Sequence, residues 1–364
     1  MNTLLNRFYC ALIAVLSVSG CVASIQAAEL PVRLQYPTQV NDVILNGVEG
    51  DSLVFRPKGR DRGGRAYLKI DHLLEQRVVL NFMFSQSYYD AIAALDAGQA
   101  RQALPVLKQE VGPFLDYMSL SLLPGNMLPT VLSYLDALRA ADQWSAAADV
   151  AIRIPVAISP PLAIDQMRHL SMELYLAEET VALERLQRHL LNARNLTQGR
   201  LDVYLQMADD WREAGEYVRA YELYRKVQIQ DGPLQVHARL WVAYCSFYLG
   251  HDLVPQVFLD ELPEMDVNTP GFCLRELIKA RLAIREADFA AALRSAAEGK
   301  SYANATDPWY PELLYTVAFL YDEIGLHEAA IAAYREVSIL FSKTPWAIKS
   351  LQALETSTPE VSAL

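Results

Sequence analysis

The sequence of 364 residues predicts a mostly helical chain: an α-solenoid of about seven helical hairpins preceded by a small antiparallel β-module. Three observations predict it. The apolar residues follow period two between Leu30 and Phe82, then a helical period from Ser85 onward. Prolines fall between the helical segments, as at Pro124, Pro160-Pro161, Pro233, Pro270, Pro308 and Pro345, which suits helix pairs joined by short turns. A pattern of small residue, large residue, turn and small residue recurs about every 36 residues. The resulting organisation is an export signal over 1–28, a β-module over 30–83, a helical array over 84–355 and a disordered tail over 356–364.

The chain starts "MNTLLNR", with one positive charge, and continues "FYCALIAVLSVS", an apolar run of about a dozen residues. A spanning helix needs about 20, so the segment reads as a secretory signal. Two endings fit it. "IQAA" (Ile25–Ala28) offers small residues for ordinary cleavage, whereas "VSGC" (Val18–Cys21) resembles the bacterial lipobox, whose cysteine becomes the lipidated first residue. Acyl chains on Cys21 would anchor the protein, each buried methylene contributing about 0.8 kcal/mol. The expected location is the periplasm, after export across the inner membrane, with an anchor at the outer membrane through Cys21.

In the β-module, alternation at Val43, Leu45, Leu53, Phe55, Tyr67 and Ile70 is broken by the turn signals Asn46-Gly47, Glu49-Gly50-Asp51 and Gly63-Gly64. Three or four short strands fit, a marginal sheet unless it leans on the helices. Arg56, Lys58, Arg60, Arg62 and Arg65 form a basic run in an otherwise acidic chain. They suit a solvated hairpin tip, or attraction to anionic headgroups or envelope polymers near a lipid anchor.

The helical hairpins turn near Gly98, Asp142, Ala177, Gly215, Gly250, Ala287 and Gly325. The best-defined copy is "MADDWREAGEYVRAYELYRKV", Met207–Val227. It resembles the tetratricopeptide repeat (TPR), a helix-turn-helix unit of about 34 residues. That signature has small residues at its eighth and twentieth positions, a large one at the eleventh, Gly at the fifteenth and an aromatic at the twenty-fourth. Here these are Ala208, Ala220, Trp211, Gly215 and Tyr224, and again Ala318, Ala330, Tyr321, Gly325 and Tyr334. The other hairpins match less fully. The closing "LFSKTPWAIKSLQAL" resembles a joint found in repeat proteins of bacterial outer-membrane assembly and Tol-associated complexes, with Ser342 in place of its first proline.

The resemblance implies stacked hairpins with a concave groove that holds another protein or peptide. Trp211 and Tyr224 would then pack between hairpins. In this family the second, fifth, ninth, twelfth and thirteenth positions of each first helix face the groove. In the last repeats these give Tyr244, Phe247, Tyr248, Arg281, Arg285, Tyr315, Phe319 and Asp322, rich in the aromatics and arginines that binding hot spots favour.

Chemistry finds little support. A net charge of −11, from 32 basic and 43 acidic residues, argues against nucleic acid. The six histidines show no i, i+4 pair that would place two metal ligands on one helix face. "GRDRGG" lacks the strand-loop-helix context of a phosphate loop. Cys245 and Cys273 sit near the tenth and first positions of adjacent repeats, an offset of roughly 13 Å along parallel helices. A disulfide needs Cα atoms within about 7 Å, so none is expected. The sequence thus predicts a non-catalytic scaffold of the bacterial cell envelope, with no cofactor and no metal, binding an envelope protein or peptide in its groove. The alternative is a lipoprotein that binds cell-wall polysaccharide or peptidoglycan through the β-module, using Tyr67 and the basic tip. A helical sugar-processing enzyme would need paired carboxylates in a deep pocket, which no spacing suggests.

Overall fold

The computed structural model describes residues 30–50, 52–58, 64–251, 253–262 and 264–357. The export signal with its lipobox and Cys21, the basic residues Arg60 and Arg62, and the tail from residue 358 lie outside the described residues. The chain divides into two compact units, one running to Ser159 together with Ala177–Leu186, the other comprising Pro160–Leu176 and Gln187 onward.

The first unit opens with five strands rather than three or four: β1 (Leu30–Gln35), β2 (Val40–Glu49), β3 (Ser52–Pro57), β4 (Ala66–Lys69) and β5 (Val79–Phe82). A short helix, α1 (Ile70–Glu75), separates the last two. The sheet order is β4-β3-β2-β1-β5, antiparallel at every pairing. Leu30, Val32 and Leu34 of β1, Leu45 of β2 and Leu80 and Phe82 of β5 are buried, as a sheet with one covered face requires. The strand missed by local alternation is β5, which pairs with β1 through Val32↔Phe82 and Leu34↔Leu80 across nearly the whole module.

This edge is bonded to the helices that follow. Asn126 receives the Phe82 amide at 2.8 Å on Oδ1 and donates from Nδ2 to the Phe82 carbonyl at 3.1 Å. Gly125 adopts φ +57°, and a Cβ there would lie 1.5 Å from the Leu80 carbonyl oxygen. The Phe82 and Phe114 rings meet edge to face at 4.5 Å.

Seven helix pairs follow in the chain: α2 (Gln86–Asp96) with α3 (Ala100–Val111), α4 (Met127–Ala140) with α5 (Trp144–Ala151), and α6 (Pro161–Leu176) with α7 (Thr180–Asn192). Then come α8 (Gln198–Glu213) with α9 (Tyr217–Gln228), α10 (Gln235–Leu249) with α11 (Val254–Asp260), α12 (Phe272–Arg285) with α13 (Phe289–Tyr302), and α14 (Tyr310–Glu323) with α15 (His327–Leu340). A single helix, α16 (Pro345–Ser357), closes the described chain, so residues 356 and 357, expected in the tail, are helical. Each pair turns through one left-handed residue: Gly98, Asp142, Glu178, Gly215, Gly250, Ala287 or Gly325. Six are the residues the recurrence marks; the third turn pivots on Glu178, one past Ala177. Four of the seven are glycine, the residue that takes this conformation at least cost.

In the second unit the small positions allow close crossing. Ala208 and Ala220 are fully buried between α8 and α9, and Ala318 and Ala330 between α14 and α15. Trp211 of α8 meets Tyr175 of α6 edge to face at 5.4 Å, while Tyr224 of α9 stacks on Trp241 of α10 at 5.8 Å. The two signature aromatics thus bridge successive hairpins. Cys245 and Cys273 are free and buried; burial pushes the Cys245 thiol up to about 12.

Candidate functional site

In the second unit, α10, α12, α14 and α16 contribute side chains to one cleft of about 440 Å³. Four aromatic residues line it: Phe247, Tyr315, Phe319 and Trp346. Three cations join them, Arg281, Arg285 and Lys349, with Ile284 and Thr316 completing the wall. Helical spacing explains the placement, since Tyr315 and Phe319 are four apart on α14, as are Arg281 and Arg285 on α12. Pro311 lies in the first turn of α14 and Pro345 starts α16, where a missing N–H costs nothing.

Five of the eight residues expected in the groove line this cleft: Phe247, Arg281, Arg285, Tyr315 and Phe319. The other three are placed differently. Tyr244 is only 5% exposed and lies beneath the cleft, its hydroxyl donating to Glu312 Oε2 at 2.6 Å. Tyr248 stacks on Tyr217 with ring centroids 3.7 Å apart, and its hydroxyl accepts from Arg281 Nη2 at 2.9 Å. Asp322 pairs with His327 Nδ1 at 2.6 Å across the turn into α15. Each of these side chains found a nearer polar or aromatic partner than the open cleft.

Glu312 organises the floor. It is 2% exposed, within the first turn of α14, and pairs with the Arg281 guanidinium as well as the Tyr244 hydroxyl. Burial pulls the Arg281 guanidinium down, but Glu312 and the two tyrosines outweigh it and hold the group above its ordinary range. Burial, and then the positive charge of Arg281, pull the Lys349 ammonium below its ordinary value, against the attraction of Glu312. Lys349 Nζ lies 4.3 Å from the centroid of the Trp346 ring.

Sequence reasoning missed Glu312, Trp346 and Lys349, although the repeat register contains all three. With Ala318 at the eighth position of the repeat, Pro311 is the first and Glu312 the second, a groove-facing position. One period of about 34 residues further on, Pro345 begins α16, and Trp346 and Lys349 fall at its second and fifth positions.

The basic tip disperses. Arg65 pairs with Glu49 at 3.3 Å, Arg56 is half-buried, and Lys58 lines a separate cleft of about 340 Å³ with Glu110 and Phe114. Tyr67 on the edge strand β4 is exposed. Among the described residues, no group of three or more His, Cys, Asp or Glu could hold a metal ion, and no helix is long and apolar enough to cross a membrane.

A second buried network lies nearer α8. The Arg212 guanidinium sits 4.1 Å over the Trp241 ring, and its Nε donates to the Tyr224 hydroxyl at 3.2 Å. Tyr224 donates onward to Asp209 at 2.6 Å, and Trp241 Nε1 donates to His237 Nε2 at 3.0 Å. These bonds join α8, α9 and α10 and serve the packing of hairpins.

The helices are paired through left-handed turns, cross at alanines and are bridged by aromatics. They are TPR-like hairpins. No family model matches the chain, and no curated protein does. Among solved structures, a putative kinesin light chain of Podosopora anserina with nearly identical TPR-like repeats is similar at 13% identity, covering 71% of this chain and 94% of that one, with a TM-score of 0.23. A point-substituted form of the same repeats is similar at 13% identity over the same shares, with a TM-score of 0.24.

Proposed function

We propose that this TPR-like chain is a non-catalytic protein-binding scaffold whose partner inserts a segment into the cleft of α10, α12, α14 and α16. One observation supports this most: side chains from the first helices of three successive hairpins and from α16 converge on a single cleft rich in aromatic and arginine residues. Such a surface suits a short segment of a protein better than a reacting small molecule, because it offers broad apolar faces and no paired acid and base. In this reading the protein works at the bacterial cell envelope and is anchored through Cys21.

A photo-crosslinking residue placed at Phe319 in the cleft, and separately at Phe289 on α13, tests the reading. Discrete crosslinked partners are expected from the first position and not the second. Equal labelling from both would refute a groove site. Pull-down with peptidoglycan separates the alternative, in which the β-module holds the polymer through Tyr67. Labelled palmitate incorporated by the natural chain but not by Cys21→Ser would establish the anchor.

A further inference from the structure

We infer that α11, the second helix of the fifth hairpin, is a releasable strap that detaches locally while α10, α12 and α14 stay assembled. The inference does not depend on what the cleft binds. The second helices α9, α13 and α15 run 12 to 14 residues. Each buries a row of side chains, such as Leu223, Tyr224 and Val227 on α9 and Ala330, Tyr334 and Val337 on α15. In contrast, α11 has seven residues, and Pro255 alone among them is buried. Its sequence, VPQVFLD, is nonetheless mostly apolar. Val254, Phe258 and Leu259 are half-buried, Val257 is 48% exposed, and Leu253 just ahead of the helix is 79% exposed. A helix this short persists through packing rather than propensity, and here the packing is thin.

Arg239 of α10 supplies a tie. Its guanidinium pairs with Glu261, just past the helix, and lies 5.2 Å from the centroid of the Phe258 ring. The Glu261 side chain is 55% exposed, and an ion pair so open to water and salt adds little hold. The bond from Gln256 to Asp260 lies within α11 and ties it to nothing else. The first helices are braced independently of it. Glu312 of α14 holds Tyr244 of α10 and Arg281 of α12, and Arg281 donates to Tyr248. Ahead of α12, Gly271 approaches α10 so closely that a Cβ there would lie 2.7 Å from Leu240 Cδ1. None of these contacts passes through α11. A weakly buried helix beside a braced core opens as a local unit, at a lower free energy than the whole. Opening there gives the unit a joint that leaves the floor of the cleft intact.

Hydrogen exchange read by mass spectrometry on the full chain tests this. The amides of Val254–Asp260 are expected to exchange at least about 100-fold faster than those of α9 and α15, at a rate that urea below the unfolding transition leaves unchanged. Arg239→Gln should quicken exchange in α11 by about threefold and leave α9 and α15 as they were. A second measurement needs no variant. Chymotrypsin under native conditions should cut first after Phe258 or Leu259, and the nicked chain should still elute as one body with its helical circular dichroism kept. Protection of α11 equal to that of α9 overturns the strap. So does quickening of α9 and α15 together with α11 in the Arg239→Gln chain, which would make the helix part of one cooperative core. Resistance at Phe258 and Leu259, or a nicked chain that falls into two pieces, refutes it as well.

Discussion

The Tyr244 hydroxyl donates to Glu312 at 2.6 Å, tying α10 to α14 across the intervening α12. Arg281 of α12 pairs with the same carboxylate, so one buried acid holds three successive first helices together. Removing it would strand a largely buried guanidinium, and breaking such a pair from one side costs about 3–5 kcal/mol. Glu312→Ala is expected to lose about 3 kcal/mol in urea unfolding. Tyr244→Phe, which removes the charge-assisted bond and the weaker 3.2 Å hydroxyl contact with Tyr248, should lose about 1.5 kcal/mol. If Glu312→Ala stays within about 0.5 kcal/mol of the natural chain, the carboxylate is not what fixes the floor of the cleft.

Two glycines with similar backbone conformations make a matched pair. Gly98 and Gly125 both have positive φ, +77° and +57°. Around Gly98 an added Cβ meets nothing within 4 Å, whereas at Gly125 it would meet the Leu80 carbonyl oxygen at 1.5 Å. Gly98→Ala should therefore cost only the left-handed strain, about 1–2 kcal/mol. Gly125→Ala must also push β5 away from the loop and should cost more than about 4 kcal/mol. Hydrogen exchange at the Phe82 amide, held by Asn126, should quicken in the second variant alone. Equal losses would mean that the close approach to β5 relaxes freely.

Most of the architecture was legible because hairpins write their turns into the sequence. A left-handed residue is needed between paired helices, and small residues are needed where they cross, so Gly215, Ala208 and Ala220 announce a unit without reference to the rest of the chain. Tyr315 and Phe319 were legible for a related reason, since register alone puts them on one helix face. Burial and partners were not legible. Tyr244 and Arg281 carry the register of groove residues, but both are engaged by Glu312, which reads locally as an ordinary helix-start acid. Strand β5 escaped because its partner β1 lies some 45 residues earlier. The cleft needed α16, which follows the last complete hairpin and so fell outside the count of repeats.

Trp211 and Phe319 should separate stability from binding. Trp211 is 1% exposed and packs on Tyr175, so Trp211→Ala should cost about 3–5 kcal/mol. Phe319 is half-buried on the wall of the cleft, and Phe319→Ala should lower stability by no more than about 2 kcal/mol. The same substitution should weaken capture of the partner recovered by crosslinking in the cleft by about tenfold. Urea unfolding and pull-down of that partner on both variants check the split. A Phe319→Ala chain that binds normally would remove that ring from the site.

The half-buried His237 gives the fold a pH dependence of known sign. Its Nε2 accepts the Trp241 indole proton, its ring faces Trp309 at 6.3 Å, and Arg212 and Asp209 of α8 act on it through space. Burial lowers its pKa below the ordinary 6.5, Asp209 opposes the shift, and Arg212 adds to it. As pH falls below 6.5, the unfolded chain takes up a proton that the folded one still refuses. Unfolding then gains free energy, by at most about 1.4 kcal/mol per pH unit until the native pKa is passed. The contribution is fully present above the unfolded value and is lost on acidification. His237→Gln keeps an acceptor for Trp241 and removes the titration. Between pH 7.5 and 5.5 the natural chain should lose about 1 kcal/mol more than this variant in urea unfolding. Other histidines and carboxylates titrate equally in both chains and cancel in the difference. Parallel curves would show that the folded chain accepts the imidazolium, with Asp209 compensating it.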